Sequence, residues 1–192
     1  MDEPVPWENA VRAIEARIPV APPEPIVFSG SSSIALWRTM QRDFQDFPVF
    51  NAGFGGSTMK QVVQRAPRIV LPLYPKQIVL FAGENDLALG GTVDDVMDAF
   101  EEFLCMTGPA PTLVLSVKPS PARMWMRTAM EVLNERLCTA CDYDRRLTTL
   151  NVWTPMLSEA GEPRAEFWMR DGIHMSKAGY ALWTELVRPH LI

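Results

Sequence analysis

With 192 residues, 47% of them hydrophobic and 21% charged, the chain is long enough to bury a core without staples, and residues 1–192 are expected to form a single domain. A net charge of −5 argues against nucleic acid as a partner, and no apolar run approaches the roughly 20 residues of a membrane span. Cys105, Cys138 and Cys141 make no disulfide framework, and the acidic opening MDEPVP lacks a signal pattern, so a cytoplasmic location is expected.

Residues 1–25 are predicted to be an N-terminal helix followed by a connector. Trp7, Ala10, Val11, Ile14 and Ile18 fall at helical spacing, and PVAPPEP then forbids regular helix. Ile26 to Ser29 reads as a first strand, Ile34 to Phe44 as helix, and Pro48 to Asn51 as a second strand. Met59, Val62, Val63 and Ala66 form a helical stripe capped by Ser57 or Thr58. Gln77 to Ala82 is the third strand. Val93 to Leu104 is a helix with Thr92 and Asp95 as its capping pair, and Thr112 to Val117 is the fourth strand. A long helix is predicted from Arg123 to Cys141 and a fifth strand from Leu147 to Val152. Loop follows over 155–173, then a helix capped by Ser176 and running to about Leu191. Cys138 and Cys141 form a CxxC near the end of the long helix. They are read as two ordinary, partly buried thiols rather than a metal or redox site, and no metal is expected.

Strands alternating with helices imply an α/β fold, a three-layer α/β/α arrangement with a five-stranded parallel sheet. A flavodoxin-like order, 2-1-3-4-5, is predicted. Ligands of such a sheet bind beyond the carboxyl ends of its strands, so the loops there carry the functional signal. They read Gly30-Ser31-Ser32-Ser33, then Asn51 to Ser57, then Gly83-Glu84-Asn85-Asp86, then Asp171-Gly172-Ile173-His174.

A serine at a strand-to-helix turn needs a base to become a nucleophile. His190 lies after Pro189, near the C-terminus and away from any glycine-rich loop, which leaves His174 as the base. Asp171, three residues earlier, is spaced to reach its Nδ1–H, fixing the tautomer and stabilising the imidazolium. The oxyanion would take donors from the Gly56 N–H, the Asn85 amide and the Ser32 N–H. A neutral imidazole base predicts hydrolysis that rises from acid toward neutral or mildly alkaline pH.

The four blocks FSGSSSIALW, NAGFGGS, GEND and DGIHMSKAGY resemble those of the SGNH (GDSL-like) hydrolase family, over nearly the whole chain. The resemblance places the nucleophile on Ser32, the oxyanion donors on Ser32, Gly56 and Asn85, and the remaining catalytic roles on Asp171 and His174. It implies the flavodoxin-like fold, no cofactor, and hydrolysis of esters, sometimes thioesters or acetylated sugars. The family often has Gly-Asp-Ser where this chain has Gly30-Ser31-Ser32; counting from Gly30 and back from Trp37 selects Ser32 over Ser31 and Ser33.

The expected function is therefore a serine esterase acting on a small-molecule ester with a short acyl or acetyl group. Thioesterase or lysophospholipase chemistry is the near alternative. A phosphate- or flavin-binding module is the distant one, but it gives Asp171 and His174 no purpose. Each motif alone has a bland reading: serines cap helices, glycines serve turns, and Asn-Asp pairs sit in loops. Their joint occurrence, in order and each after a strand, favours catalysis. Phe54, Trp125, Trp168 and Met175 are candidates to line the substrate pocket. Asp86 either braces the Asn85 loop or is an exposed turn acid. Arg123 either holds a substrate acid or pins a loop. Oligomeric state is left open.

Overall fold

The computed structural model describes residues 7–192, so the acidic opening over 1–6 lies outside the described residues. Five short strands, β1 (Ile26–Gly30), β2 (Val49–Gly53), β3 (Gln77–Phe81), β4 (Thr112–Leu115) and β5 (Leu147–Leu150), pair in parallel in the order β2-β1-β3-β4-β5. This is the predicted topology. The register pairs Gly30 with both Gly53 and Phe81, so β1, β2 and β3 end level and their following loops open on one edge.

Strand alternation divides the core between the two faces. Val27, Ala52, Ile78, Leu80 and Val114 join one cluster, which also takes Val11 and Ile14 of α1 (Glu8–Glu15), Val62 and Val63 of α4 (Met59–Ile69), Val96 and Phe100 of α6 (Val93–Thr107), and Met130 and Leu133 of α7 (Arg127–Asp142). Phe28, Val79, Phe81, Leu113 and Leu115 join the other, with Ile34 of α2 (Ser32–Ala35), Met40 of α3 (Met40–Asp43) and Trp183 of α8 (Lys177–Val187). The capping boxes Thr58/Gln61 and Thr92/Asp95 start α4 and α6, and Ser176 accepts from the Gly179 N–H to start α8.

The structure corrects several element boundaries: β4 and β5 each end two residues before the predicted Val117 and Val152, and β2 runs Val49–Gly53 rather than Pro48–Asn51. The helix predicted from Ile34 to Phe44 is two short helices, α2 and α3, because the chain bends between them to bury Trp37. That indole packs on Phe28, Phe44, Tyr180 and Trp183 at 5.3–6.0 Å and donates to Asp43 at 2.9 Å. A five-residue helix, α5 (Glu84–Ala88), occupies a stretch read as loop. Pro121–Met126 is a 3₁₀ turn, so α7 starts four residues later than predicted. α8 ends at Val187 because Pro189 follows and the chain turns into 3₁₀. A further 3₁₀ turn, Ile18–Val20, opens the proline-rich connector.

Cys138 and Cys141 both lie on α7 as free thiols. Contrary to the expectation of two partly buried thiols, Cys138 is exposed, while Cys141 faces the core. No described helix is long and apolar enough to cross a membrane.

Candidate active site

The loops after β1, β2 and β3 meet through hydrogen bonds that the sequence does not announce. Ser31 N–H donates to the Phe81 carbonyl at 3.1 Å, tying the triple-serine turn to the end of β3. Ser57, fully buried, places its hydroxyl 3.3 Å from the Gly30 carbonyl and 3.1 Å from that of Phe54. Its own carbonyl accepts from Asn85 Nδ2 at 2.9 Å.

The three serines are not equivalent. Ser31 and Ser33 are buried, at 4% and 2% exposure, whereas Ser32 is half-buried and reachable. Ser31 occupies the cap position of α2, but its side chain makes no capping bond, so the bland reading of the run as a helix cap fails. Ser32 is the first residue of α2, where a backbone N–H has no intrahelical acceptor.

Of the two histidines, His190 sits at the opposite end of the sheet, its carbonyl accepting from Gln77 at the start of β3. His174 pairs with Asp171: Nδ1 lies 2.7 Å from Oδ2, while Oδ1 accepts the backbone N–H groups of Ile173 and His174 at 2.9 Å each. These bonds, the two backbone donors first and the imidazole next, hold the Asp171 carboxyl down at about 2. An acceptor on Nδ1 leaves Nε2 as the free ring nitrogen. No hydrogen bond joins Ser32 to His174 directly; such bonds often tighten only with substrate present. The two halves are joined next door, where the Tyr180 hydroxyl of α8 donates to the Ser33 carbonyl at 3.1 Å.

Gly56 has φ of +73°, and a side chain there would reach the Trp7 indole Nε1 at 3.6 Å. Its N–H meets no acceptor among the described residues. Asn85 is oriented by its neighbours. Arg123 Nη2 donates to its Oδ1 at 2.8 Å, which fixes the amide's sense and leaves one Nδ2 hydrogen beyond the bond to Ser57. Asp86 is buried and both its oxygens accept the Met59 N–H, at 3.0 and 2.9 Å, so it braces α5 against the start of α4. Desolvation raises its carboxyl above the usual range. Arg123 pins the loop, as one of its two readings held: it binds Asn85 and, at 3.2 Å, Glu84.

Glu84, Lys118 and Ser120, all 3% exposed or less, were missed in the sequence and lie beneath these loops. Three of the four candidate pocket residues are buried. Phe54 (1% exposed) faces the core beneath β2, and Trp168 and Met175 (8% and 2%) bridge to each other in the opposite core cluster. Their surface is committed to packing. Trp125 is 73% exposed, on the turn whose Ala122 N–H donates to the Gly172 carbonyl at 3.0 Å. A groove of about 450 Å³ lies elsewhere, between α7 and β5, lined by Asn134, Cys138, Thr149 and Trp153 among others, and contains none of the predicted site residues.

A family model described as the GDSL-like lipase/acylhydrolase family matches residues 11–182. No curated protein sequence matches the chain. Among solved structures, a protein of Streptococcus pneumonia superposes with a TM-score of 0.86 at 18% identity, covering 97% of this chain and 92% of its own. A GDSL-like lipase from Bacteroides thetaiotaomicron gives 0.81 at 20% identity, covering 94% and 96%. A lipase/acylhydrolase from Enterococcus faecalis gives 0.70 at 22% identity, covering 87% and 96%.

Proposed function

We propose that this chain, which belongs to the GDSL-like lipase/acylhydrolase family and is an SGNH-type carboxylic ester hydrolase, cleaves small esters through an acyl-enzyme on Ser32 with His174 as the base. In this reading Ser32 Oγ attacks the ester carbonyl as its proton passes to His174 Nε2. Asp171, paired to Nδ1, stabilises the imidazolium. The oxyanion sits against the N–H groups of Ser32 and Gly56 and the Nδ2 hydrogen of Asn85 that Ser57 leaves unused. The imidazolium returns the proton to the departing alkoxide. Water, deprotonated by the same nitrogen, then releases the acid and restores the hydroxyl.

The observation that carries this reading is selective exposure: of three adjacent serines only Ser32 is not buried, and the Asp171-paired imidazole lies just before α8, whose Tyr180 hydroxyl donates to the Ser33 carbonyl. A short acyl or acetyl group is the proposed acid part. Trp125 and Met169, 73% and 55% exposed beside Arg123 and Asp171, and Trp7 beside Gly56, are the proposed apolar contacts.

The test is p-nitrophenyl acetate hydrolysis by the wild type and by Ser32→Ala, with fluorophosphonate labelling and peptide mapping. Activity is expected to fall by about 10⁴ or more in the variant, with the phosphonyl group on Ser32. Wild-type activity in Ser32→Ala, or label on Ser31 or Ser33, would remove Ser32 from the role.

A further inference from the structure

Beneath the site lies a buried polar cluster that the proposed chemistry does not use. Lys118, three residues past β4, is 1% exposed, and its ammonium meets Glu84 Oε2 at 2.7 Å, Ser120 Oγ at 2.6 Å and the Ile173 carbonyl at 2.9 Å. Ser120 gives its own hydrogen to Glu84 Oε1, so toward Lys118 it can only accept. Three acceptors around one amine call for all three hydrogens of the charged form. The rings of Trp168 and Phe81 sit 5.4 and 5.8 Å from the same nitrogen.

The partners matter more than the pair. Glu84 is the residue before Asn85, and Ile173 is the residue before His174. Arg123 joins the cluster on its open side, with Nη1 on Glu84 at 3.2 Å and Nη2 on the Asn85 amide oxygen at 2.8 Å. One lysine thus ties the backbone beside the base to the carboxylate beside the oxyanion amide. The bonds of Asn85 to Ser57, of Ser57 to Gly30 and of Tyr180 to Ser33, with the backbone between them, extend the link along the sheet edge.

We propose that Lys118 is a positioning residue, which through Glu84 and Arg123 holds the Asn85 amide and the His174 loop in fixed relation and thereby sets kcat. The proposal rests on the esterase reading above. A buried ion pair is a poor means of stabilising a fold, because desolvation consumes most of its attraction. It is a good means of fixing direction, since each of its bonds demands one geometry. The Arg123 guanidinium also donates directly to the Asn85 amide oxygen at 2.8 Å. There it polarises the amide toward donation.

The experiment uses the double variant Lys118→Met/Glu84→Gln, which removes both buried charges together. On p-nitrophenyl acetate, kcat is expected to fall about 10- to 100-fold with KM within about threefold, the loss that misplacement by around 1 Å brings. The His174 ring-proton resonances, assigned against His190→Gln in a chain with two histidines, are expected to shift or broaden while the melt stays cooperative. A folded double variant with wild-type kcat and unchanged His174 resonances overturns the proposal. If the double variant does not fold, Ser120→Ala decides: a drop in kcat of about threefold or more at constant KM supports it, and wild-type kcat overturns it. Full activity in Ser32→Ala would instead remove Ser32 as the nucleophile, while the resonance of His174 would still report on the Lys118 link.

Discussion

Gly30→Ala isolates what the sheet edge requires of the backbone beside the proposed nucleophile. A Cβ on Gly30 would lie 1.9 Å from the Phe81 carbonyl oxygen and 2.8 Å from its carbon, and the residue's φ is +142°. The obstacle is backbone of the neighbouring strand, so no side chain can rotate away. Holding a non-glycine residue in that region costs about 1–3 kcal/mol. Overpacking against β3 costs about 1–3 more. The Ser31 N–H to Phe81 bond, at 3.1 Å, is the one broken when the strands part, which adds about 1 kcal/mol. The expected loss is about 3–7 kcal/mol, or roughly 6–28 °C in Tm for a chain of this size. Gly55→Ala is the control: an added Cβ there meets nothing within 4 Å, and the expected change is within about 0.5 kcal/mol. Urea and thermal unfolding of the two variants measure both numbers. A Gly30→Ala protein melting within about 2 °C of the wild type would refute the reasoning.

Asp171→Asn is expected to lower kcat about 10³- to 10⁴-fold with little change in KM, since an amide no longer fixes the imidazole tautomer; kcat and KM on a p-nitrophenyl ester test this. Asp171 and Glu8 are each held down to about 2, from 3.8 and 4.5, by their donors, so their stabilising contribution is complete above the unfolded values and is lost as pH falls below about 4.5 toward 2. Tm followed by circular dichroism should therefore decline across that window, and a Tm that climbs there contradicts the assignment. Burial pushes the Cys141 thiol up to about 12, so brief iodoacetamide treatment of native protein should modify Cys138 and Cys105 and spare Cys141, as read by mass spectrometry. Trp7→Ala should raise KM about fivefold, the ratio that ~1 kcal/mol of lost apolar contact gives, with kcat nearly unchanged.

The sheet and its order were legible because strand length, helical stripes and right-handed crossovers leave few ways to arrange five strands. The loops were legible for a related reason: glycine, serine, asparagine and histidine at strand ends have little to do with a core. What a loop residue near those ends does was not legible. Phe54, Trp168 and Met175 stand in or next to the motif blocks, yet backbone direction turns each of them inward. Trp37 breaks the predicted helix because four aromatic partners, drawn from β1, α8 and the residues flanking the bend, outweigh local propensity. The fully buried lysine lies in SVKPSPARMW, which has no period to betray an inward side chain, and lysines are almost never buried unless paired. A faint signal existed in Glu84, an acid between the glycine and the asparagine of a loop that asks for neither charge nor bulk.

The division between what shows in the sequence and what does not follows from the physics of the site. Groups proposed to touch substrate stand just past the strand ends, in turns or the first turns of short helices, where they read as chemistry. Groups that aim them need the low dielectric of the interior, where a bond to one partner is not traded for a bond to solvent. Arg123 stands at the boundary: partly exposed, it bonds Asn85 on one side and buried Glu84 on the other. Its position explains why it supported two readings from sequence. If aim is what the interior supplies, Arg123→Lys should fail to restore it. A single ammonium cannot reproduce the planar fork that meets the Glu84 carboxylate and the Asn85 amide oxygen at once.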